Sequence, residues 1–168
     1  MRVVKIAIIA FVLSLMVAST TAQKSTPTSK GQPSFRQYPA VADFKGRPAK
    51  PQLNTDLEHD YRTQIRTQAR LGPNFAGHFT VASWGCGSPC GRFVIIDARS
   101  GRIYDSDIEV GCYDKNGGGE DIHFKLTSRL LTITGFLEKL GCGTEFYEWD
   151  GKQLNFLHFE PFPADDDP

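Results

Sequence analysis

The sequence has no excess of charge of either sign. Its 168 residues include 19 lysines and arginines and 19 aspartates and glutamates, so the formal net charge is zero. The charges are mixed along the chain, apart from a short run of aspartates at positions 165–167. A nearly neutral chain has no field that gathers nucleic acid or anionic lipid. The composition therefore argues against a nucleic-acid partner.

The chain also lacks an apolar run long enough to span a bilayer. The run Ile6–Ala18 is well short of the roughly 20 helical residues that a span needs. Arg2 and Lys5 precede it, and the small residues Thr20 and Ala22 follow it, which is typical of a secretory signal peptide. We expect cleavage after Ala22 and a periplasmic or secreted mature chain with no stable membrane anchor. An uncleaved membrane anchor is the alternative.

Cysteine is scarce, with four residues in the whole chain: Cys86, Cys90, Cys112 and Cys142. In an oxidising compartment this even number predicts two disulfide bonds. Of the three possible pairings we favour Cys86–Cys90 with Cys112–Cys142, because GCGSPCG has the form of a three-residue turn whose flanking residues face each other across a hairpin. A zinc site of four thiolates is the alternative, but Cys112 and Cys142 are isolated in sequence. We expect no metal and no cofactor.

The length allows one domain. Removing residues 1–22 from the 168-residue chain leaves 146 residues, close to the commonest domain size. Residues 23–34 have little apolar content and contain proline, serine and threonine, so we predict a flexible lead-in. A single disulfide-stapled, mainly-β domain is expected over residues 35–163. Residues 164–168 are predicted to be an acidic, disordered tail.

Residues 35–53 are predicted to lie as extended chain on the surface of the domain. This stretch, called the strap below, contains three prolines, each of which favours extended geometry in the residue before it. Its apolar side chains Tyr38, Val41 and Phe44 are the expected anchors.

One helix is predicted, from about residue 56 to 70. Thr55 and Glu58 have the spacing of a capping box at its start. Apolar residues then recur at every fourth position and form a single stripe: Leu57, Tyr61, Ile65 and Ala69. The pair Gly72-Pro73 is expected to end the helix.

The rest of the chain has the pattern of short strands separated by tight turns. Local antiparallel pairing is favoured because only short turns separate neighbouring strands. The predicted fold is α+β, a mainly antiparallel β meander with one N-terminal helix. In the last strand, simple alternation would place Leu154, Phe156 and His158 on one face. The predicted strands cover residues 77–84, 92–97, 102–104, 122–125, 129–136, 144–149 and 153–159.

The densest motif is GPNFAGH at 72–78, followed by WGCGSPC at 84–90 and a hairpin with Asp97, Gly101 and Tyr104. This pattern resembles a group of small, functionally uncharacterised exported bacterial proteins that share a GPNFAGH…WGCG..C core. The resemblance covers roughly residues 55–105. It implies export and the fold class, and it transfers no catalytic residue.

His78 is the most plausible catalytic side chain. A hydrolase would combine it with a carboxylate such as Asp97 or Glu145, and Asn74 could orient the substrate. However, the chain has no G-x-S-x-G or other nucleophile signature. A histidine at the start of a strand is more often a structural hydrogen-bonding group.

Acidic residues alternate at Asp105, Asp107 and Glu109, and a glycine-rich acidic loop follows at 114–121. Carboxylate oxygens in such a loop can bind Ca²⁺. The second loop begins like an EF-hand, but Lys125 occupies its twelfth position, where a glutamate is needed. Solvated turns are therefore the preferred interpretation.

The leading functional hypothesis is an exported binding or inhibitor-type module whose partner is an unknown protein or glycan. It depends mainly on the missing catalytic signatures and on rigid, disulfide-braced loops. The aromatic residues would form a sugar- or protein-binding face where they are exposed. The alternatives are a hydrolase that uses His78 and a structural envelope protein. The candidate binding residues are Asn74, His78, Trp84, Tyr147 and Trp149.

Overall fold

The computed structural model describes residues 31–87, 90–108, 121–137 and 141–162. The predicted signal peptide, most of the lead-in, the acidic tail and Cys112 lie outside these ranges. The chain divides into two units, Met1–Gly31 and Gln32–Pro168, and every element named below belongs to the second. None of the helices in the described ranges has the length and apolar content that a membrane crossing requires.

The predicted helix is present, with one irregular residue in it. It consists of α1, Asp56–Asp60, and α2, Arg62–Leu71, with Tyr61 between them. The capping box forms as expected, since Glu58 N–H donates to Thr55 Oγ1 and the Glu58 carboxylate accepts from Thr55 N–H. Gly72 follows the helix with φ of 93°, a conformation that glycine adopts without strain.

Seven strands form two antiparallel sheets, which confirms the predicted α+β class with mostly β structure. The order is β1-β2-β3 in the first sheet and β4-β5-β6-β7 in the second. Within each of these two sheets every described strand pairs with its neighbours in sequence, as in a meander, whereas β3 and β4 do not pair. The strands are Phe79–Gly87, Cys90–Asp97, Ile103–Asp105, Asp121–Phe124, Leu130–Leu137, Gly141–Trp149 and Leu154–Pro161.

The first sheet has an apolar core on each of its two faces. On one face the helical stripe packs against alternate residues of β1 and β2, forming a buried cluster of Ile65, Ala69, Ala82, Trp84, Val94 and Ile96. On the other face the intervening residues pack against the second sheet. That larger cluster comprises Phe75, Ala76, Phe79, Val81, Phe93, Ile95, Leu131, Ile133 and Trp149.

The strap is held by backbone hydrogen bonds at both of its ends. Near its start Tyr38 C=O accepts from Arg129 N–H at 2.8 Å, and near its end Gln52 N–H donates to Gly101 C=O at 2.8 Å. Val41 is 78% exposed, so its predicted role as an anchor was wrong. At Val41 the strap contacts the domain through its backbone, because a Cβ added to Gly77 would collide with the Val41 carbonyl oxygen.

The tip of the β1–β2 hairpin differs from the predicted turn. Cys90 pairs with Gly87, and Cys86 lies in an irregularity between Gly85 and Gly87, so the two cysteines are not directly opposite. Neither of the described cysteines Cys86 and Cys142 is free. The proposed pairing stays a prediction, because Cys112 lies outside the described residues.

The last hairpin carries a bulge that the alternation rule did not predict. In the β6–β7 register Tyr147 is opposite Phe156, whereas Phe146 is opposite His158, with the irregularity between Phe146 and Tyr147. Residues directly opposite each other share a face of the sheet, and Phe146 and Tyr147 are consecutive. Phe156 and His158 therefore lie on opposite faces, because the extra residue in β7 reverses the alternation.

Candidate functional site

His78 and Asp97 lie near each other, but they are not hydrogen-bonded. The distance from His78 Nε2 to Asp97 Oδ1 is 3.9 Å, beyond the range of a hydrogen bond. The imidazole is half-buried and packs on the ring of Phe79, with 4.2 Å between centroids. Its backbone carbonyl accepts from Ala98 N–H, which ties the start of β1 to the end of β2.

The Asp97 carboxylate is bound within its own turn. It accepts from Arg99 N–H at 2.8 Å and from the Ser100 hydroxyl at 2.6 Å. In a serine–histidine–aspartate arrangement the imidazole lies between the hydroxyl and the carboxylate and takes the proton from the hydroxyl. Here the carboxylate holds the hydroxyl directly, so His78 does not activate Ser100. The second carboxylate considered for a hydrolase, Glu145, is bonded to Tyr147 instead.

The surroundings of His78 favour its neutral form. Burial lowers the pKa of the imidazole, and the nearby Arg99 guanidinium lowers it further, while Asp97 and Asp43 act in the opposite direction. Arg99 is itself paired with Asp43 at 2.7 Å. Among the described residues no nucleophile is hydrogen-bonded to this imidazole, which packs on the ring of Phe79.

The side-chain amide of Asn74, a candidate binding residue, is hydrogen-bonded to the backbone of β1. Its Oδ1 accepts from Val81 N–H at 2.8 Å, and its Nδ2 donates to Val81 C=O at 3.2 Å. Gln68 on α2 makes the same pair of contacts with Ser83, at 3.2 and 2.6 Å. The two amides therefore imitate a neighbouring strand along the free edge of β1, and they close that edge to further pairing.

Trp84, another candidate, lies between the helix and the first sheet. It is 8% exposed, and its ring stacks on Tyr61 with 4.7 Å between centroids. Its indole N–H has no hydrogen-bond partner in the structure. Trp84 is thus part of the helix–sheet core, on the opposite face of the sheet from Trp149.

The remaining two candidates, Tyr147 and Trp149, meet at a cavity of about 250 Å³. The cavity, called the cleft below, lies between the segment after β3 and the β6–β7 hairpin. The described residues of its walls combine aliphatic side chains, two aromatic side chains, two polar side chains and two carboxylates, and none of these described residues is a lysine or arginine. It is lined by Ile95, Asp105, Ser106, Asp107, Ile108, Tyr147, Trp149, Gln153 and Leu154.

The acidic wall of the cleft is a short, locally bonded segment. Asp107 N–H donates to Asp105 Oδ1 at 3.1 Å, and the Ser106 hydroxyl donates to Phe93 C=O at 3.0 Å. Asp107 has φ of 51°, in the left-handed region that aspartate tolerates better than most residues. Both carboxylates are exposed. Exposed carboxylates agree with the preferred interpretation of a solvated segment, and Glu109 lies outside the described residues.

The opposite wall comes from a hairpin whose turn is fixed by one side chain. Asp150 Oδ1 accepts from Lys152 N–H at 2.8 Å and from Gln153 N–H at 2.9 Å, and Oδ2 accepts from the Asn155 amide at 3.1 Å. These hydrogen bonds lower the pKa of the Asp150 carboxyl, beginning with the one from Gln153. The cleft is thus bordered by two segments, each of which is held by hydrogen bonds between its own side chains and its own backbone.

Tyr147 presents its ring to the cleft, and its hydroxyl donates to the buried carboxylate of Glu145. Burial raises the pKa of Glu145, and the hydrogen bond from Tyr147 partly opposes that increase. Burial also raises the pKa of Tyr147, which Glu145 raises further. The hydroxyl is therefore a fixed internal donor, and the ring is what Tyr147 offers to a ligand.

Phe156 extends this aromatic surface into solvent. It is 54% exposed and is the only exposed aromatic side chain among the residues that the structure describes. Its ring meets that of Tyr147 edge to face, with 5.8 Å between centroids. The sequence analysis did not select Phe156. Its position opposite Tyr147 follows from regular pairing counted outward from the Asp150-Gly151 turn, before the bulge in β7, and this is the signal that could have found it.

Comparison with protein-family models, with curated proteins and with solved structures gave no match.

Proposed function

We propose that this chain is an exported binding module and that the cleft, with Tyr147 and Phe156 at its border, is where it binds a protein or glycan ligand. In this proposal residues 1–22 direct export and are removed, and the mature domain acts in the periplasm or outside the cell. The two disulfide bonds predicted from the four cysteines suit an oxidising compartment.

The observation that carries the proposal is the exposed ring of Phe156 beside a concave, partly apolar surface. Leaving an aromatic ring in water has a free-energy cost that a ligand removes when it covers the ring. A cavity of about 250 Å³ is slightly below the range of about 300–1,000 Å³ usual for drug-sized ligands. It suits one ring or one side chain of a larger ligand.

The hydrolase alternative has weaker support in the geometry. Catalysis by His78 needs a nucleophile or a water molecule within hydrogen-bond reach and a carboxylate that orients the imidazole. The nearest carboxylate is 3.9 Å away and is occupied by Ser100 and the Arg99 N–H. A binding function uses the features of the cleft directly and needs none of these contacts.

The test is to present the mature chain to an immobilised glycan array and to an immobilised peptide array. Wild-type protein is expected to bind members of one array. Phe156→Ala is expected to lower the affinity at least about tenfold, the effect of losing roughly 1.4 kcal/mol at a central contact. Leu71→Ala is the matched control, because Leu71 is an apolar side chain of 84% exposure on α2.

Equal binding by the two variants would refute the assignment of the cleft. The absence of binding to both arrays would refute the binding module itself. Circular dichroism and thermal unfolding of each variant check that the fold is retained.

A further inference from the structure

We infer that two copies of this chain form a dimer in which β7 of one copy pairs antiparallel with β7 of the other around Asn155. Such a dimer goes beyond the proposed function and does not depend on it. The open edges of the two sheets are where a pairing of this kind can occur, because an edge strand presents unpaired backbone groups.

Among the four edge strands, β7 is the longest one whose edge the described residues leave open. The side-chain amides of Asn74 and Gln68 close the free edge of β1. The edge strands β3 and β4 have three and four residues, whereas β7 has eight. No backbone hydrogen bond between described residues joins the outer side of β7 to another element. The edge of β7 is therefore the one available to a second strand.

Near the start of β7, backbone groups point away from β6. Asp150 N–H donates to Gln153 C=O at 3.2 Å, so the backbone of Gln153 faces the preceding strand. Consecutive residues of an edge strand direct these groups alternately toward the neighbouring strand and toward the open side. Pairing with β6 is regular from Leu154 to Phe156. The N–H and C=O groups of Leu154 and Phe156 therefore point toward the open edge.

The second half of β7 is less suited to pairing. A bulge follows Phe156 in the register, Glu160 is exposed, and Pro161 has no N–H to donate. Bulges, charged side chains and prolines are the features by which proteins protect edge strands from association. None of the three occurs between Leu154 and Phe156, so the unprotected part of the edge is centred on Asn155.

A second copy of this segment complements it. Antiparallel pairing around Asn155 places Leu154 opposite Phe156 of the second copy, and each of the two pairs formed in this way exchanges two hydrogen bonds. Residues directly opposite each other share a face of the sheet. The leucine side chain therefore lies beside the Phe156 ring, which is 54% exposed, and removes part of it from water.

The charges at the two ends of the segment also favour a second copy. Lys152 lies before it and Glu160 after it, and both side chains are exposed. Antiparallel pairing brings the start of each β7 near the end of the other, so the cation of one copy approaches the anion of the other. Asp150, at the same end as Lys152, already accepts three hydrogen bonds within its own turn. An unrelated extended segment offers the backbone groups without this match of charges and apolar side chains.

The dimer also brings two clefts together. Leu154 lines the cleft, so Phe156 of the second copy lies beside that cleft in this pairing. A leucine side chain covers only part of a phenyl ring, and Phe156 therefore remains at the border of its own cleft as well. Each binding site of the proposed function then has an aromatic ring from both copies at its border.

Cysteine substitution tests the register, because only the residue at the two-fold axis faces its own copy. In Asn155→Cys the two introduced residues form a pair without mutual hydrogen bonds, with about 4.5 Å between Cα atoms, which is within the range of a disulfide. Gln153→Cys is the matched control on the same face of β7, where the two cysteines are offset along the strands by about 13 Å. Oxidation with diamide should link Asn155→Cys into a dimer on non-reducing gels and leave Gln153→Cys largely unlinked.

Association of the unmodified mature chain is measured by sedimentation velocity and by amide hydrogen exchange at increasing micromolar concentrations. The expected result is a shift from the mass of one chain to that of two, with the amides of Leu154 and Phe156 exchanging more slowly as the dimer forms. Asn155→Lys places two like charges at the axis and should raise the dissociation constant several-fold. Gln153→Lys should change it less. Circular dichroism checks that each variant is folded.

Several results would overturn the inference. A chain that stays monomeric, with Asn155→Cys left unlinked, does not pair with itself at this edge. Slow exchange of the Leu154 and Phe156 amides in that monomer would mean that a segment of the same chain covers the edge, and loss of peptide-array binding in Asn155→Lys would mean that a partner's extended segment does. A dimer whose two cysteine variants link equally well uses another surface. Because sedimentation and cross-linking need no ligand, the dimer and the proposed function can fail separately.

Discussion

Replacing Asn74 by alanine tests whether its amide stabilises the free edge of β1. The amide holds both backbone groups of Val81, and Val81 is 1% exposed, so water cannot take the place of the amide. Each buried backbone group that loses its partner costs about 1–3 kcal/mol. Since two such groups of Val81 lose their partner, we expect Asn74→Ala to lower the free energy of unfolding by about 2–4 kcal/mol.

Gln68→Ala provides the matched comparison, because Gln68 makes the same two contacts with Ser83. Ser83 is exposed, and water can satisfy its backbone groups once the amide is removed. Alanine also has a higher helix propensity than glutamine, which offsets part of the loss on α2. We therefore expect a change below about 1 kcal/mol.

Urea unfolding with the disulfide bonds intact measures both variants. The midpoint should fall clearly for Asn74→Ala and little for Gln68→Ala, with the same slope in both. Equal losses of unfolding free energy in the two variants, or a loss under about 1 kcal/mol for Asn74→Ala, would contradict the prediction. Either result would show that burial of the strand edge does not determine how much stability the lost hydrogen bonds provide.

Three further predictions concern other parts of the chain. The pKa of Glu145 is raised above its ordinary value of 4.5, so just above pH 4.5 the folded protein binds more protons than the unfolded chain. Its free energy of unfolding therefore falls as the pH rises through this window. Glu145→Gln should remove this pH dependence and be more stable than wild type in unfolding curves at neutral pH. Gly101→Ala should destabilise the fold by several kcal/mol more than Gly151→Ala. Both glycines have positive φ, but only a Cβ at position 101 would collide with the Lys50 carbonyl oxygen. Similar melting temperatures of the two variants would contradict this prediction. Intact-mass analysis of the exported protein should find a chain that begins at Gln23 and gains the hydrogens of two disulfide bonds on reduction.

Local patterns were enough to predict the elements of this fold. All seven predicted strands are present, and the capping box of Thr55 and Glu58 begins α1 as expected. These features depend on neighbours in sequence, namely alternating apolar residues, turn residues and helix-capping side chains. The strand ends differ by a few residues because pairing with a neighbouring strand extends them, as where β6 begins at Gly141 rather than Thr144.

Features that depend on contacts distant in sequence were not predictable in the same way. The seven strands divide into two sheets because β3 and β4 do not pair, and no local pattern marks that division. The anchor role of Val41 was wrong because the strap is held by its backbone. His158 was wrongly placed on the face of Leu154 and Phe156, because the bulge that follows Phe156 in the β6–β7 register has no signature in an alternating sequence.

The same distinction applies to the candidate site. Tyr147 and Trp149 were selected as aromatic residues, and the structure brings them together at the cleft. Asn74, Trp84 and His78 were selected with equal reason, and the structure places them elsewhere. Residue type indicates which side chains can bind a ligand, but whether they are accessible depends on packing that forms only in the folded chain.

Polar side chains that already make hydrogen bonds within the fold can be distinguished from those whose donors or acceptors are available to a ligand. Asn74, Asp97 and Asp150 each bond to backbone in their own neighbourhood. At the cleft, Asp105 and Asp107 are exposed, and Asp105 keeps acceptor capacity beyond its one hydrogen bond from the Asp107 N–H. Because a hydrogen bond already made to backbone must be broken before the same group can bind a ligand, these exposed carboxylates are better candidates for ligand contacts than the amide of Asn74 or the turn carboxylates of Asp97 and Asp150.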